Sequence, residues 1–562
     1  MADSESKPSG DGLPTYPRSA SAGSGVTVST VENPASMREL QREAARGTSE
    51  LPRLQRTTVI AYLVAIAAGG LYALFVFNPR NGGQTIPYIC LVLAEIILLG
   101  NQVVMILTIL AGDRGGDTGE DRRVVQDARR QMLAKTWAPT IDVFIPTYGE
   151  SLETIANTAR AARDMRVEHR TVICDDSDSP EVRQLAERIG VEYLRRDDNV
   201  GAKAGNLNNA LRHSDAEFVV IFDADHVPGP NFLEVAVPHF VDQRVAFVQT
   251  PQSYTNSTAS PVAEASQESQ RVFYDLICPG KNAYNSVFSV GTNLVYRRAA
   301  IDDVNGLFQD TNSEDIWTSI RIHQRGWSTV YLPIVLAEGL APETVHGYLN
   351  QQFRWSRGAF EVLLQGRPWR LRGLTRDQRI QYIQPALHYL QSFAVLFFVL
   401  LPPLFLVFYI QPLRVDGIGW LLRYAPFWLL TQLAIYYQLG RLHAYSYAMA
   451  IVSVPVHIRA FFSALFRRKY GWAVTNRDGV LPSVISYMPF QIAMIAGFLT
   501  AFVIGLIPLS SSFPTVISLV LCLVYAFALL VVVRRAIADG RRSRHQSRTS
   551  RSVSAPVEAS TP

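Results

Sequence analysis

Cysteine is scarce in this chain. Cys90, Cys174, Cys278 and Cys522 lie far apart and form no CxxC pair, which excludes a disulfide framework and a zinc knuckle. Lysine is scarce too: among 562 residues it stands only at Lys7, Lys135, Lys203, Lys281 and Lys469. Where arginine is so strongly preferred, a lysine inside a motif asks for a chemical reason. Charged residues make up 18% of the chain and hydrophobic ones 48%, a balance that excludes a disordered chain, a collagen and a coiled coil. The net charge of +5 is modest, and basic residues crowd into 534–551. That placement reads as tail or membrane electrostatics, so no nucleic-acid partner is expected.

What the chain has in excess is long apolar runs. A membrane span needs roughly 20 apolar residues. Segments 57–77, 86–110, 387–410, 420–439, 484–507 and 515–533 qualify, which predicts two helices over 57–111, two over 387–439 and two over 484–533. The first is no signal peptide, because it starts far from Met1 and a second span follows it. Glu95, a charge at membrane depth, is expected to face a neighbouring helix. Arginines cluster before the first span, before the third and after the sixth, whereas 78–85, 411–419 and 508–514 carry few positive charges. The positive-inside rule then predicts a multi-pass protein of the cell (plasma) membrane with both termini and the segment 112–382 cytoplasmic. Segment 444–466 is apolar but holds His457 and Arg459 and runs into Arg467, Arg468 and Lys469. It reads as an interfacial helix lying on the bilayer, part of a unit covering 444–483. The polar stretches 1–50 and 538–562 read as disordered tails.

Between the spans, strand and helix patterns alternate: strand 141–146, helix 153–164, strand 171–174, helix 180–189, strand 192–194, helix 204–212, strand 218–222. This order predicts an α/β domain with a mostly parallel sheet, inserted into a helical membrane domain. Ligands bind at the carboxyl ends of such strands. Residues 146–150, 175–178 and 223–226 each follow a strand and should therefore converge.

Their chemistry is consistent with that. Asp223 and Asp225 are two residues apart in an extended segment, so both point the same way. With His226 beside them, two carboxylates suit Mg2+ or Mn2+ completed by a substrate's phosphates. Asp175 and Asp176 either cap the following helix or accept hydrogen bonds from a nucleobase. Gly201-Ala-Lys-Ala-Gly-Asn206 opens a helix. It is not a P-loop, yet its glycines and helix N-terminus would admit phosphate, with Lys203 as a mobile charge. The alternative is a surface turn with a solvated lysine. Ser313-Glu314-Asp315 precedes an apolar helix, so its acids serve as a cap or as a general base. Gln351, Arg354 and Trp355, at i, i+3 and i+4, share one helical face. There Arg could neutralise a diphosphate and Trp could stack a sugar; otherwise the helix lies on the membrane with a snorkelling Arg.

Taken together, these blocks resemble the processive, inverting membrane glycosyltransferases typified by bacterial cellulose synthase. The matching segments are Asp142-Val-Phe-Ile-Pro-Thr-Tyr-Gly-Glu150, Cys174-Asp-Asp176, Ala202-Lys-Ala-Gly-Asn206, Phe222-Asp-Ala-Asp-His-Val-Pro228 and Gln249-Thr-Pro251. Ser313-Glu-Asp315, Pro342-Glu-Thr344, Gln351-Gln-Phe-Arg-Trp355 and Trp472-Ala-Val-Thr475 complete the series. The resemblance implies a Rossmann-like nucleotide-sugar fold of the GT-A type. It implies that Tyr148, Glu150, Asp175 and Asp176 hold uridine, that Lys203 contacts the diphosphate, and that Asp223, Asp225 and His226 bind the metal. It further implies that Asp315 is the base, that Gln351, Arg354 and Trp355 hold the diphosphate and the acceptor end, and that Trp472, Val474 and Thr475 form a gating loop.

The expected partners are a UDP-sugar, with UDP-glucose the expected one, the growing β-glucan, the lipid bilayer and accessory export subunits. Three departures stand out. Ser313 replaces a frequent Thr, Asp176-Ser-Asp178 replaces glycines, and Ser289-Val-Gly-Thr292 replaces a Phe-Phe-Cys-Gly-Ser segment. The tail is too short for a cyclic-di-GMP-binding domain. The expected function is processive glucan synthesis coupled to export. The rivals are a non-processive transferase acting on a membrane lipid and a non-catalytic sugar-nucleotide receptor.

Overall fold

A computed structural model describes residues 56–114, 119–311, 313–414, 417–439, 444–468, 481–507 and 512–553. The proposed gating residues Trp472, Val474 and Thr475 and the N-terminal tail lie outside the described residues, as does 554–562.

The α/β domain is built on ten strands: β1 (Ile141–Thr147), β2 (Arg170–Asp175), β3 (Glu192–Arg195), β4 (Phe218–Ile221), β5 (Val227–Pro228), β6 (Val245–Gln249), β7 (Ser253–Tyr254), β8 (Leu294–Arg297), β9 (Ser328–Tyr331) and β10 (Ala337–Gly339). Seven of them form one sheet in the order β3-β2-β1-β4-β8-β6-β9, and β5-β10-β7 form a small second sheet. Strands β3, β2, β1 and β4 run parallel, β8 runs antiparallel to both its neighbours, and β6 and β9 are parallel. All seven residues of β1 are buried, as the central strand of a sheet covered on both faces requires.

Side-chain alternation splits the core in two. Val143, Ile145, Phe218 and Val220 point to the layer of Ile155, Ala159, Val182 and Leu185. Phe144, Val219 and Ile221 point to the layer of Ala204, Leu207 and Leu211. The covering helices start where the sequence supplies caps. Ser151 caps α1 (Leu152–Arg163), and Ser179 followed by Pro180 starts α2 (Pro180–Ile189), which stops at Gly190 in the left-handed region. The helix α3 (Ala202–Arg212) follows Gly201 at φ +76.

Among the described residues, six helices are long and apolar enough to cross a membrane: Thr57–Val76, Thr85–Gly112, Arg376–Phe408, Ala444–Leu465, Pro489–Leu506 and Phe513–His545. The set differs from the sequence expectation at two points. It includes Ala444–Leu465, read above as interfacial, and leaves out Gly417–Leu439, read above as a span. By packing, Gly417–Leu439 lies along Arg56–Val76, where a Cβ on Gly69 would come 2.9 Å from the Phe427 ring. Ala444–Leu465 instead lies against the helix Val345–Glu361, with the Arg357 Nε donating to Ser463 Oγ at 3.2 Å.

The turns gather at one end of the bundle. Gly83 N–H donates to Pro412 O, Arg414 N–H donates to Asn81 O, and Gly417 sits against Phe513. The other end meets the α/β domain. There Gly280 abuts Thr108 O, and buried Lys281 donates to Gln381 O at 2.7 Å. This contact gives Lys281 a structural reason: it ties the domain to the helix Arg376–Phe408. Glu95 is buried and accepts from the Tyr72 hydroxyl, which in turn accepts from Trp420 Nε1 at 3.0 Å. The stretch 538–553, expected to be disordered, is helical, because the last helix runs unbroken to Val553. Asp539 fastens it by accepting from Val345 N–H at 3.1 Å, at the start of Val345–Glu361.

Candidate active site

The carboxyl edge of the parallel strands brings the acids together. Thr147 lies in register with Asp175, and Phe144 with Ile221, so 147–150, 175–178 and 223–226 emerge side by side. One ligand atom from each of Asp223, Asp225 and His226 lies within 4.8 Å of the others. Asp223 is held from behind by its own N–H, which donates to Thr292 Oγ1 at 2.9 Å. His226 Nδ1 and Asp225 Oδ1 are 2.9 Å apart. The buried His226 Nε2 has no protein partner among the described residues. Its ring fits only because residue 339 is glycine: a Cβ there would come 2.5 Å from Nε2. Burial opposes the Asp225 charge, yet the charge and hydrogen bond of His226, with a backbone N–H and Lys203, together lower the Asp225 pKa. Two carboxylates beside an imidazole with a free buried nitrogen fit a hard divalent cation.

Lys203 reaches over this group. Its Nζ pairs with Asp223 and donates to Gly291 O at 2.8 Å. Across the same glycine stands Asp315. A Cβ on Gly291, which sits at φ +82, would be 3.3 Å from Lys203 Nζ and 3.5 Å from Asp315 Oδ2. Glycine therefore leaves a gap between cation and carboxylate. Asp315 lies in the first turn of α4 (Glu314–Gln324), and its Oδ1 accepts from Ile316 N–H at 2.8 Å. A helix N-terminus by itself favours an ionised carboxylate. Here burial, and then the charge of Glu314, push Asp315 up to about 8. Ser313 does not cap the helix with its side chain. Its Oγ instead lies where a Cβ on Gly358 would fall, so the turn nests on α5 (Val345–Glu361).

That helix carries Gln351, Arg354 and Trp355. Gln351 is buried next to the Tyr254 hydroxyl, and the charge of Arg354 acts on Glu314. Trp355 is half-buried. On the opposite side, Tyr148 is 39% exposed and its N–H donates to Glu150 Oε2 at 2.6 Å. Burial raises the Glu150 pKa, with Asp225 and Asp223 adding to it.

The two acids after β2 differ. Asp175 is fully buried and accepts from Thr147 Oγ1, Ser177 N–H, Ser177 Oγ, Ser179 N–H and the Tyr193 hydroxyl. Of its two expected roles, these bonds show Asp175 organising the start of the loop that leads into α2. Asp176 is bound by Arg196 through Nε at 2.6 Å and Nη2 at 2.7 Å. Asp178 sits at φ +53, in the left-handed region where the resemblance expects glycine. The glycines around Lys203 face protein as well: a Cβ on Gly205 would be 1.9 Å from Val200 O, and one on Gly201 2.7 Å from Gln309 Oε1. They shape the turn and do not open it to phosphate. Sequence reasoning missed Arg196, Gly291, Thr292 and Tyr254. Gly291 and Thr292 lie in the very segment noted for departing from the resemblance, which was the available signal.

Comparison with known proteins agrees with this geometry. Residues 138–358 match glycosyltransferase-like family 2, and 302–431 match cellulose synthase. Over 138–358 the chain is thus similar to the family 2 glycosyltransferases. The domain, with its mixed sheet and carboxyl-edge acids, has the GT-A fold. The chain is 36% identical over 278 residues to the cellulose synthase catalytic subunit (UDP-forming) of Pseudomonas fluorescens (strain SBW25), covering 48% of this chain and 38% of that protein. It is 33% identical over 278 residues to cellulose synthase 1 catalytic subunit (UDP-forming) of Komagataeibacter xylinus, covering 48% and 37%. The matched segment thus spans little more than a third of those relatives' length. Among solved structures, a mannosyltransferase from Pyrobaculum calidifontis in complex with GDP-Man and Mn2+ aligns at 18% identity and a TM-score of 0.45, over 65% of this chain and 100% of that one.

Proposed function

We propose that the glycosyltransferase domain moves glucose from UDP-glucose, with inversion, to the non-reducing end of a β-glucan, and that the apolar helices carry the growing polymer out across the membrane. The observation that carries this reading is the facing of Lys203 and Asp315 across Gly291, beside the Asp223–Asp225–His226 group and under the helix of Gln351, Arg354 and Trp355.

In this reading the acceptor hydroxyl attacks the anomeric carbon, the bond from that carbon to the diphosphate oxygen breaks, and UDP leaves. Asp315, once deprotonated, takes the hydroxyl proton. Asp223, Asp225 and His226 would hold a Mg2+ or Mn2+ ion, which would supply Lewis-acid stabilisation of the departing diphosphate. Lys203 and Arg354 add positive charge on the same side. Tyr148, Glu150 and Asp176 line the nucleoside end, and Trp355 offers a stacking face to the terminal sugar. The gathered turns 78–85 and 409–414 support an arrangement in which they lie outside and the transferase domain and both termini lie in the cytoplasm.

The test is purified protein in lipid vesicles, given each radiolabelled UDP-sugar with Mg2+ or Mn2+ and followed by linkage-specific glucanases. Insoluble glucan made from UDP-glucose supports the reading. Label that stays in an organic extract would replace it with transfer to a membrane lipid. Asp315→Asn should lower synthesis about 10²–10⁴-fold while UDP-sugar binding persists; polymerisation above about a tenth of the normal rate would remove Asp315 as the base.

A further inference from the structure

Arg196 is the most heavily engaged side chain at the carboxyl edge outside the residues already given a role. Its side chain is 7% exposed and that of Asp176 is 6%. The guanidinium meets the Asp176 carboxylate fork to fork. On its far side, Nη1 donates to Val200 O at 2.6 Å and Nη2 to Ala202 O at 2.9 Å, in the turn that leads into Lys203. Gly205 makes room for it, since a Cβ there would come 2.4 Å from Nη1. The guanidinium is thus pinned between the loop after β2 and the start of α3. The Asp176 N–H donates to Thr147 O at 3.0 Å, which fixes the backbone beneath the carboxylate.

The neighbouring acid cannot share the task. Asp175 accepts five hydrogen bonds, three from its own loop and one each from Thr147 of β1 and Tyr193 of β3. Of the pair, only Asp176 retains oxygen lone pairs not taken by protein donors. A carboxylate gripped by a guanidinium acts as an acceptor only.

We propose that Arg196 determines nucleobase selection by fixing Asp176 as an obligate acceptor at the base, which favours a base with a ring N–H donor over one with a ring nitrogen lone pair. The proposal rests on the reading of this edge as a nucleoside-diphosphate site. Uracil offers N3–H at its pairing edge, whereas cytosine offers an unprotonated N3, which repels the carboxylate lone pair. Arg196 acts through Asp176 and touches no reacting atom, so it is a positioning residue that sets specificity.

The experiment measures competition by UDP and by CDP, each with Mn2+, against UDP-sugar turnover on the full chain in lipid nanodiscs. The wild type should prefer UDP by about tenfold or more, the scale of one hydrogen bond to a charged group. Arg196→Gln should shrink the UDP-to-CDP preference at least fivefold. Arg196→Lys, which keeps the charge and loses the fork, should shrink it less. A purely structural role would weaken both nucleotides by one common factor, and that result overturns the proposal. If Arg196→Gln does not fold, Arg196→Lys decides: a preference equal to wild type refutes the role. Asp176→Asn separates the underlying reading. If that variant leaves the preference unchanged, the base does not meet Asp176 at all, and the site reading fails independently of Arg196.

Discussion

Replacing Glu314 by Gln should move the acid limb of the rate profile to lower pH. Asp315 can accept a proton only when it is ionised, and its pKa is raised to about 8, first by burial and then by the charge of Glu314. The sign follows directly. Below that value the free enzyme holds Asp315 protonated, so kcat/KM should fall about tenfold for each pH unit on the acid side. Gln keeps the size of Glu314 and removes its charge. At an effective dielectric of about 20, even a like charge about 8–15 Å away contributes roughly 1–2 kcal/mol, and one pKa unit corresponds to about 1.4 kcal/mol. The limb should therefore drop by at least about one unit, and the ratio of kcat/KM at pH 6 to that at pH 9 should rise roughly tenfold or more. The assay is UDP release across pH 6–9 at saturating metal. Comparing the ratio within each variant cancels any loss of maximal rate. Lys203 works in the opposite direction on Asp315, so Lys203→Gln should raise the limb. The two acids are adjacent and titrate together, so the limb belongs to the pair. A limb that stays in place in Glu314→Gln, or that moves up, would show that the base is not the acid beside Glu314.

Asp223→Asn and Asp225→Asn should each abolish transfer while the protein remains folded by circular dichroism; near-normal turnover with Mg2+ in either would refute the metal assignment. Trp355→Ala keeps the base and loses the stacking face, so polymer should be short or absent while hydrolysis of UDP-sugar to free sugar persists, as read by product sizing. Reporters fused after residue 112 and at the C-terminus should read cytoplasmic and one at 80–85 external. A C-terminal reporter found outside would mean that Ala444–Leu465 crosses the membrane.

Much of this architecture is legible in one dimension because its signals are local. The helix at 180–189 was readable to the residue, since Ser179, Pro180 and Gly190 mark both of its ends. Strands β1, β2 and β4 show as apolar runs because each is buried on both faces. The place of Asp223, Asp225 and His226 follows from the rule that loops after parallel strands share one edge, so their convergence required no coordinates. Length and apolarity alone marked the long apolar helices, apart from the pair Gly417–Leu439 and Ala444–Leu465. There similar composition serves two different surroundings, one helix packing against Arg56–Val76 and the other against Val345–Glu361.

The remainder depended on long-range partners. Asp175 and Asp176 look alike in sequence, but one is saturated by donors from its loop, β1 and β3 while the other is held by a guanidinium 20 residues on. The ionisation of Asp315 turned on burial and on a like charge, which in this site outweigh the favourable helix end. The Gly291 gap, which sets Lys203 opposite Asp315, joins segments nearly 90 residues apart. Sequence determined which residues could do chemistry and on which edge they would stand. Tertiary structure decided which of them remain free to act, because hydrogen-bond capacity and desolvation depend on neighbours that only folding supplies.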